Sequence, residues 1–267
     1  MSNLLKADLY ALLKNKMTYI LLGICAGLSL LTVGIYYGLS EMFDALVAEE
    51  EDVIMGMTTL VNARSVIFSN FSLTNNGGLI IPIFAGLIVM TDIRCGTVRN
   101  KVIFGKSRVQ IYFSHLIVAT LLCLAATLLS LAVMAGGSLL LFDYGVPFDG
   151  EEAANLTRCL TAGIMTFVYV ASVATFFALV TKSTPLTVIL TMAVCLGLGL
   201  LCSLLSLVPN HDYDTLIRLI PTNVATTVTS YGTLSVEEFA MGVGSYLFFI
   251  AANTVAGILI FKKADLK

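Results

Sequence analysis

Charge is what this chain has least of. Only 12% of its 267 residues are Asp, Glu, Lys or Arg, against about 25% in an ordinary soluble domain. The shortage comes with apolar runs near or above the ~20 residues that cross a bilayer, so the chain reads as a polytopic helical membrane protein. Histidine is nearly absent, with only His115 and His211. One falls at the inner start of an apolar run and the other in an outer loop. A zinc protease of the bilayer needs histidine ligands there, and a serine protease needs a Ser and a His to meet there. Both are excluded, although Glu151-Glu152 with Arg158 comes close to the E-E-x-x-x-R signature of the former. His211-Asp212-x-Asp214 offers too few ligands to hold a metal. The six cysteines are Cys25, Cys95, Cys123, Cys159, Cys195 and Cys202. They form no CxxC pair and mostly lie in apolar runs, so they read as small buried side chains, with no disulfide and no metal expected. No basic and aromatic surface suggests nucleic acid. No catalytic constellation is present, and the chain is expected not to be an enzyme by itself.

The fold expected is all-α and integral to the membrane, as one transmembrane domain over 1–267. Six spans are predicted, at about 18–39, 66–91, 112–141, 159–181, 186–208 and 241–261. The first apolar run follows Lys14 and Lys16 and shows no convincing small-residue cleavage site, so no detachable signal peptide is expected. Placing both ends inside puts Lys6, Lys14, Lys16, Arg94, Arg99, Lys101, Lys106, Arg108, Lys182, Lys262, Lys263 and Lys267 on the inner side. Only Arg64, Arg158 and Arg218 then remain outside, of fifteen basic residues in all. The opposite orientation would violate the positive-inside rule.

Around the spans, Leu5, Leu9, Leu12 and Leu13 recur at helical spacing. They predict an amphipathic helix over 4–16 on the inner surface, or alternatively an extension of the first span. Gly23-x-x-x-Gly27 and Gly34-x-x-x-Gly38 would let a second helix approach the first span closely. The acidic stretch Glu41, Asp44 and Glu49 to Asp52 reads as a solvated outer face. The clean apolar part of the second span, Leu79 to Met90, is too short to cross, so the span is expected to extend back to about Val66. That places Asn75 and Asn76 either toward a cavity or an interface, where they would line a substrate path, or at the outer headgroups. Lys182-Ser183-Thr184-Pro185 predicts a tight turn that makes spans four and five a hairpin. Residues 209–240 are too apolar for a free loop and too interrupted for a span, and are expected to form re-entrant or interfacial half-helices.

The densest polar feature is Asp92 to Arg108, D-I-R-C-G-T-V-R-N-K-V-I-F-G-K-S-R, with Arg94, Arg99, Lys101, Lys106 and Arg108. Within it N-K-V-I-F-G-K-S is one glycine short of a phosphate loop, with Asn100 in the first glycine's place. No strand is expected before it, so the match reads as chance and no ATPase site is expected in this chain. Gly96 and Gly105 are plausible helix boundaries. The helix between them would offer basic donors to a soluble partner and an apolar side of Val98, Val102, Ile103 and Phe104.

The order Asp92-x-Arg94-x-Gly96-Thr97-x-Arg99-Asn100-Lys101, followed by Gly105-Lys106-Ser107-Arg108, resembles the inner loop after the second span in permease subunits of type-2 ATP-binding cassette (ABC) exporters. That family includes peptide-antibiotic immunity and drug exporters of Gram-positive bacteria. Its acid is usually Glu, and Asp92 is one methylene shorter. The layout of surface helix, six spans and outer half-helices is similar along the whole chain. The resemblance implies that 92–108 forms a coupling helix docked on a separate ATPase. It also implies two ATPase copies, a second permease chain (identical or a paralogue), and ATP and Mg on the partner, with no cofactor in this chain. The cargo implied is a peptide antibiotic, a drug or another amphipathic compound, exported through a bacterial plasma membrane. Two other readings stay open: a secondary transporter driven by an ion gradient, which would usually carry ionisable residues within its spans, and a non-transporting scaffold or sensor.

Overall fold

A computed structural model describes residues 2–47, 61–73, 76–206 and 217–263. Among these the chain is all-helical, with no strand. The helices are α1 (Ser2–Lys14), α2 (Lys16–Val47), α3 (Ala63–Ser69), α4 (Asn76–Arg94), α5 (Thr97–Ile103), α6 (Arg108–Leu141), α7 (Gly150–Thr181), α8 (Thr184–Ser206), α9 (Pro221–Tyr231) and α10 (Val236–Lys263). The helices α2, α6, α7, α8 and α10 are each long and apolar enough to cross a membrane. The number rises to six if Ile80–Arg94 and Thr97–Ile103, which meet at a 55° bend, count as one broken span. The protein is therefore a multi-pass membrane protein by length and composition.

At the centre, α7 touches α4, α6, α8, α9 and α10. Its middle turns are built from Ala171, Ser172, Ala174, Thr175 and Ala178, all fully buried. Small side chains let neighbouring helices come close, and close packing is what holds helices together where lipid removes most of the hydrophobic drive. Their hydroxyls are satisfied locally, Ser172 Oγ by Tyr169 O at 2.7 Å and Thr175 Oγ1 by Ala171 O at 2.8 Å. The expected hairpin of spans four and five is present. Lys182 takes a left-handed conformation (φ 53) at the end of α7, and Pro185 sits in the first turn of α8, where its missing N–H is no loss.

The second span differs from the expectation of one helix back to Val66. The helix stops at Ser69 and resumes only at Asn76. The physical cause lies in the polar and aromatic residues between. Asn70 caps the end of α3, is 6% exposed, and accepts through Oδ1 from Ser130 Oγ. Phe71 packs so closely on Gly163 of α7 that a Cβ there would overlap the ring. The chain then folds back, leaving Gly78 with space for hydrogen alone beside the Ser72 carbonyl. The 19 residues of α4, at 1.5 Å rise each, reach about 28 Å and match a bilayer core without help from α3.

The end of the bundle that carries α3 and the start of α7 is tied by a buried knot. Arg64 of α3 sets Nε 2.8 Å from Glu152 Oε1 and donates through Nη2 to Glu152 Oε2 at 3.1 Å. The same Nη2 donates to Gly232 O at 2.8 Å, as does Asn155 Nδ2, which fixes the end of α9 on α7. Tyr144 donates to Glu152 Oε1 at 3.0 Å. Burial first, and then this bond and the carboxylate's charge, push the Tyr144 phenol up to about 12. Of the region expected to form outer half-helices, α9 is a short helix packed on α7, α8 and α10, while 207–216, with His211, Asp212 and Asp214, lies outside the described residues. So does most of the acidic stretch after α2.

Candidate functional site

The polar island closes the C-terminal end of α4 and carries α5. The chain leaves α4 at Arg94 and turns through Gly96, whose left-handed φ of 69 suits a residue without a side chain. It then makes the two turns of α5 and turns again at Gly105, φ 77. Ser107 caps α6, accepting from Gln110 N at 3.3 Å, while Gln110 Oε1 accepts from Ser107 N at 3.3 Å. This reciprocal pair is a capping box, readable in the sequence as Ser107-x-x-Gln110. The near-match to a phosphate loop is thus a helix end. Its backbone N–H groups are engaged, Phe104 N with Asn100 O and Lys106 N with Lys101 O.

The residues of the motif separate into two groups. One group holds the frame. Lys101 Nζ lies 2.8 Å from Asp92 Oδ2 and 2.7 Å from Asp8 Oδ1, with its side chain 14% exposed. Asp8 comes from α1, where Leu4, Asp8 and Leu12 form one buried row against α6. Its other oxygen accepts from Ser114 Oγ at 2.6 Å. His115, one residue on, places Nδ1 3.7 Å from Asp92 Oδ2. Thr97 Oγ1 donates to Asp92 O at 2.7 Å across the bend. Arg108 donates to Phe261 O at 3.0 Å and Lys262 O at 2.8 Å. A cation at the last carbonyls of α10 is favoured by the helix dipole as well as by the bonds. Beneath them, Val98 and Val102 of α5 pack with Leu4, Ile111, Tyr112, Leu179 and Phe261.

The other group faces outward. Arg94, Arg99 and Asn100 are exposed, and Lys106 is partly so. Beside them stand Ile103, 70% exposed, and Phe104, 83% exposed. The apolar side expected for α5 is therefore divided, with the two valines inside and Ile103 and Phe104 outside. Asp92 and Lys101, expected among the partner-binding groups, are ion-paired with each other within the chain.

Asp8 and His115 were not foreseen as part of this site. The available signal was an acid four residues from Leu4 and four from Leu12, on the apolar side of α1. Of the two residues expected along a substrate path, Asn75 lies outside the described residues and Asn76 is the first residue of α4.

The sequence model of a family described as a protein of unknown function (DUF2705) matches residues 56–267. No curated protein matches the chain. The match covers most of the chain, so the chain belongs to that family.

Proposed function

We propose that this member of the DUF2705 family is the membrane-spanning permease subunit of an ATP-driven ABC exporter, and that a separate ATPase acts on it through α5. The observation that carries the reading is the outward face of α5. Arg99 and Asn100 stand next to Ile103 and Phe104, two large apolar side chains left 70% and 83% exposed on a helix of seven residues. An aromatic side chain beside an arginine is the usual make-up of an interface anchor. The inward face suits the same role. Lys101 links α5 to α1 and α4, and Val98 and Val102 link it to α6, α7 and α10. A push on α5 would therefore reach five helices rather than bend one loop.

In this reading both termini and α5 face the cytosol of a bacterium, as the distribution of Lys and Arg favours. The outer knot of Arg64, Glu152 and Gly232 keeps the far end rigid, so force at α5 becomes rocking of whole helices. Two permease chains and two ATPases would make the transporter, with ATP and Mg held by the ATPases. The cargo would be a peptide antibiotic, a drug or another amphipathic compound.

The buried ionisable cluster of Asp8, Asp92, Lys101 and His115 favours a second reading, a carrier driven by an ion gradient. Co-expression with candidate ATPases separates the two. The permease reading expects a stable complex in which the permease raises ATP hydrolysis. Arg99→Glu should abolish that stimulation while the protein still inserts and purifies. Transport that survives ATP depletion but stops when the proton gradient is collapsed would overturn the permease reading.

A further inference from the structure

Under α1 lies a cavity of about 350 Å³ that none of the docking contacts uses. Ala11 and Leu12 of α1, Ile88 of α4 and Val118 of α6 give it apolar walls, and Asp8, Asp92 and His115 form its polar end. Two features of that end call for a ligand. The first is charge. Asp8 and Asp92 share the single ammonium of Lys101, so two carboxylates face one cation. Lys14 also lines the cavity, but its ammonium lies over the Tyr10 ring, 5.7 Å from the centroid. Among the described residues, Asp92 Oδ1 has no hydrogen bond. The second feature is His115. It is 3% exposed, and its Nε2 is buried without a partner. A buried polar atom left unpaired costs about 1–3 kcal/mol, so a ligand that supplies the missing bond gains it.

We propose that this cavity binds an organic cation, a protonated amine on a compact apolar body, which enters at the inner face of the membrane. The ammonium meets Asp92 Oδ1 and the Nε2 of His115, and the apolar body fills the space between α1, α4 and α6. Lys101 plays a second part here. It is the chain's own ammonium and pairs with both carboxylates without lining the cavity, so it keeps the site from carrying two unpaired charges when no ligand is bound. The inference deepens the exporter reading by naming a cargo class, but binding itself needs no ATPase.

The chain has no tryptophan, so Leu13→Trp on the exposed side of α1 (Leu13 is 55% exposed) provides a single energy donor near the cavity. The protein is placed in phosphatidylcholine nanodiscs without an ATPase and titrated with dansylcadaverine, a primary amine on an apolar fluorophore. Its neutral N-acetyl derivative is titrated alongside, and empty nanodiscs are subtracted. Saturable energy transfer is expected for the amine, with at least tenfold weaker binding of the N-acetyl form. In the same background Asp92→Asn should weaken the amine at least tenfold. Ala11→Phe, a change at an exposed position of α1 that touches none of the ion pairs, should fill the cavity and abolish saturation. Equal binding of amine and N-acetyl form, no saturation in the parent protein, or full binding after Ala11→Phe would each overturn the proposal. None of these outcomes bears on docking, and a failed ATPase test would not bear on them.

Discussion

At the scale of single residues the strongest claim concerns Lys101. Among the described residues its ammonium is the sole Lys or Arg cation paired with the two carboxylates, which lie on different helices, and all three side chains are largely withdrawn from solvent, at 14%, 7% and 27% exposure. Removing one partner of a buried ion pair costs on the order of 3 kcal/mol, because the remaining charges lose their compensation. Lys101→Met keeps the length of the side chain and should lower the thermal unfolding midpoint in detergent clearly. Asp92→Asn should lower it less, since Lys101 then still pairs with Asp8. A Lys101→Met protein as stable as its parent would show that the cluster is wet and weakly coupled. The sequence made Lys101 legible as a basic residue, but not as an inward one. Composition treats a lysine in a basic loop as a surface donor. Its two partners lie on α1 and α4, and nothing in the local pattern joins those segments. Asp8 was hidden for the same reason, as was the pairing of Arg64 with Glu152.

At the scale of elements, what the sequence revealed follows from whether the signal is local. The turn at Lys182 to Pro185 and the glycines bounding α5 are local chemistry, and each stands where it was expected; the Ser107-Gln110 box is equally local but was not anticipated. The interruption between α3 and α4 is not local. It depends on Phe71 finding Gly163 on α7 and on Asn70 finding Ser130 on α6, and a reading by apolar length merges the two helices into one span. The division of α5 into two faces also needed the tertiary packing, but it yields a sharp expectation. Phe104 contributes nothing visible to the fold, being 83% exposed, so Phe104→Ala should leave expression and melting unchanged. If α5 docks on an ATPase, a buried aromatic anchor is worth at least about 1.4 kcal/mol. The affinity for the ATPase, measured by titration in detergent, should therefore fall tenfold or more. Unchanged affinity would place the ATPase contact elsewhere than on α5.

At the scale of the whole molecule, every functional statement depends on which side of the membrane α5 faces, and the protein carries its own probe for that. Cys95 sits in the bend between α4 and α5 and is exposed, while the other five cysteines are buried. Cys25, Cys123, Cys159, Cys195 and Cys202 are all between 0% and 5% exposed. A membrane-impermeant maleimide should therefore label one site on the unaltered chain, and Cys95→Ser should remove the signal. With both ends and α5 inside, intact cells should show no labelling, and inverted membrane vesicles should show full labelling. The concentration of Arg94, Arg99, Lys101, Lys106 and Arg108 around this bend argues for that side, because basic residues cross the membrane with difficulty during insertion. The charge argument also covers the cavity under α1, whose carboxylates lie at the same end of the bundle as Cys95. Labelling of Cys95 from outside an intact cell would turn the bundle over, moving the proposed docking face away from any cytosolic ATPase and opening the cavity to the outer leaflet instead.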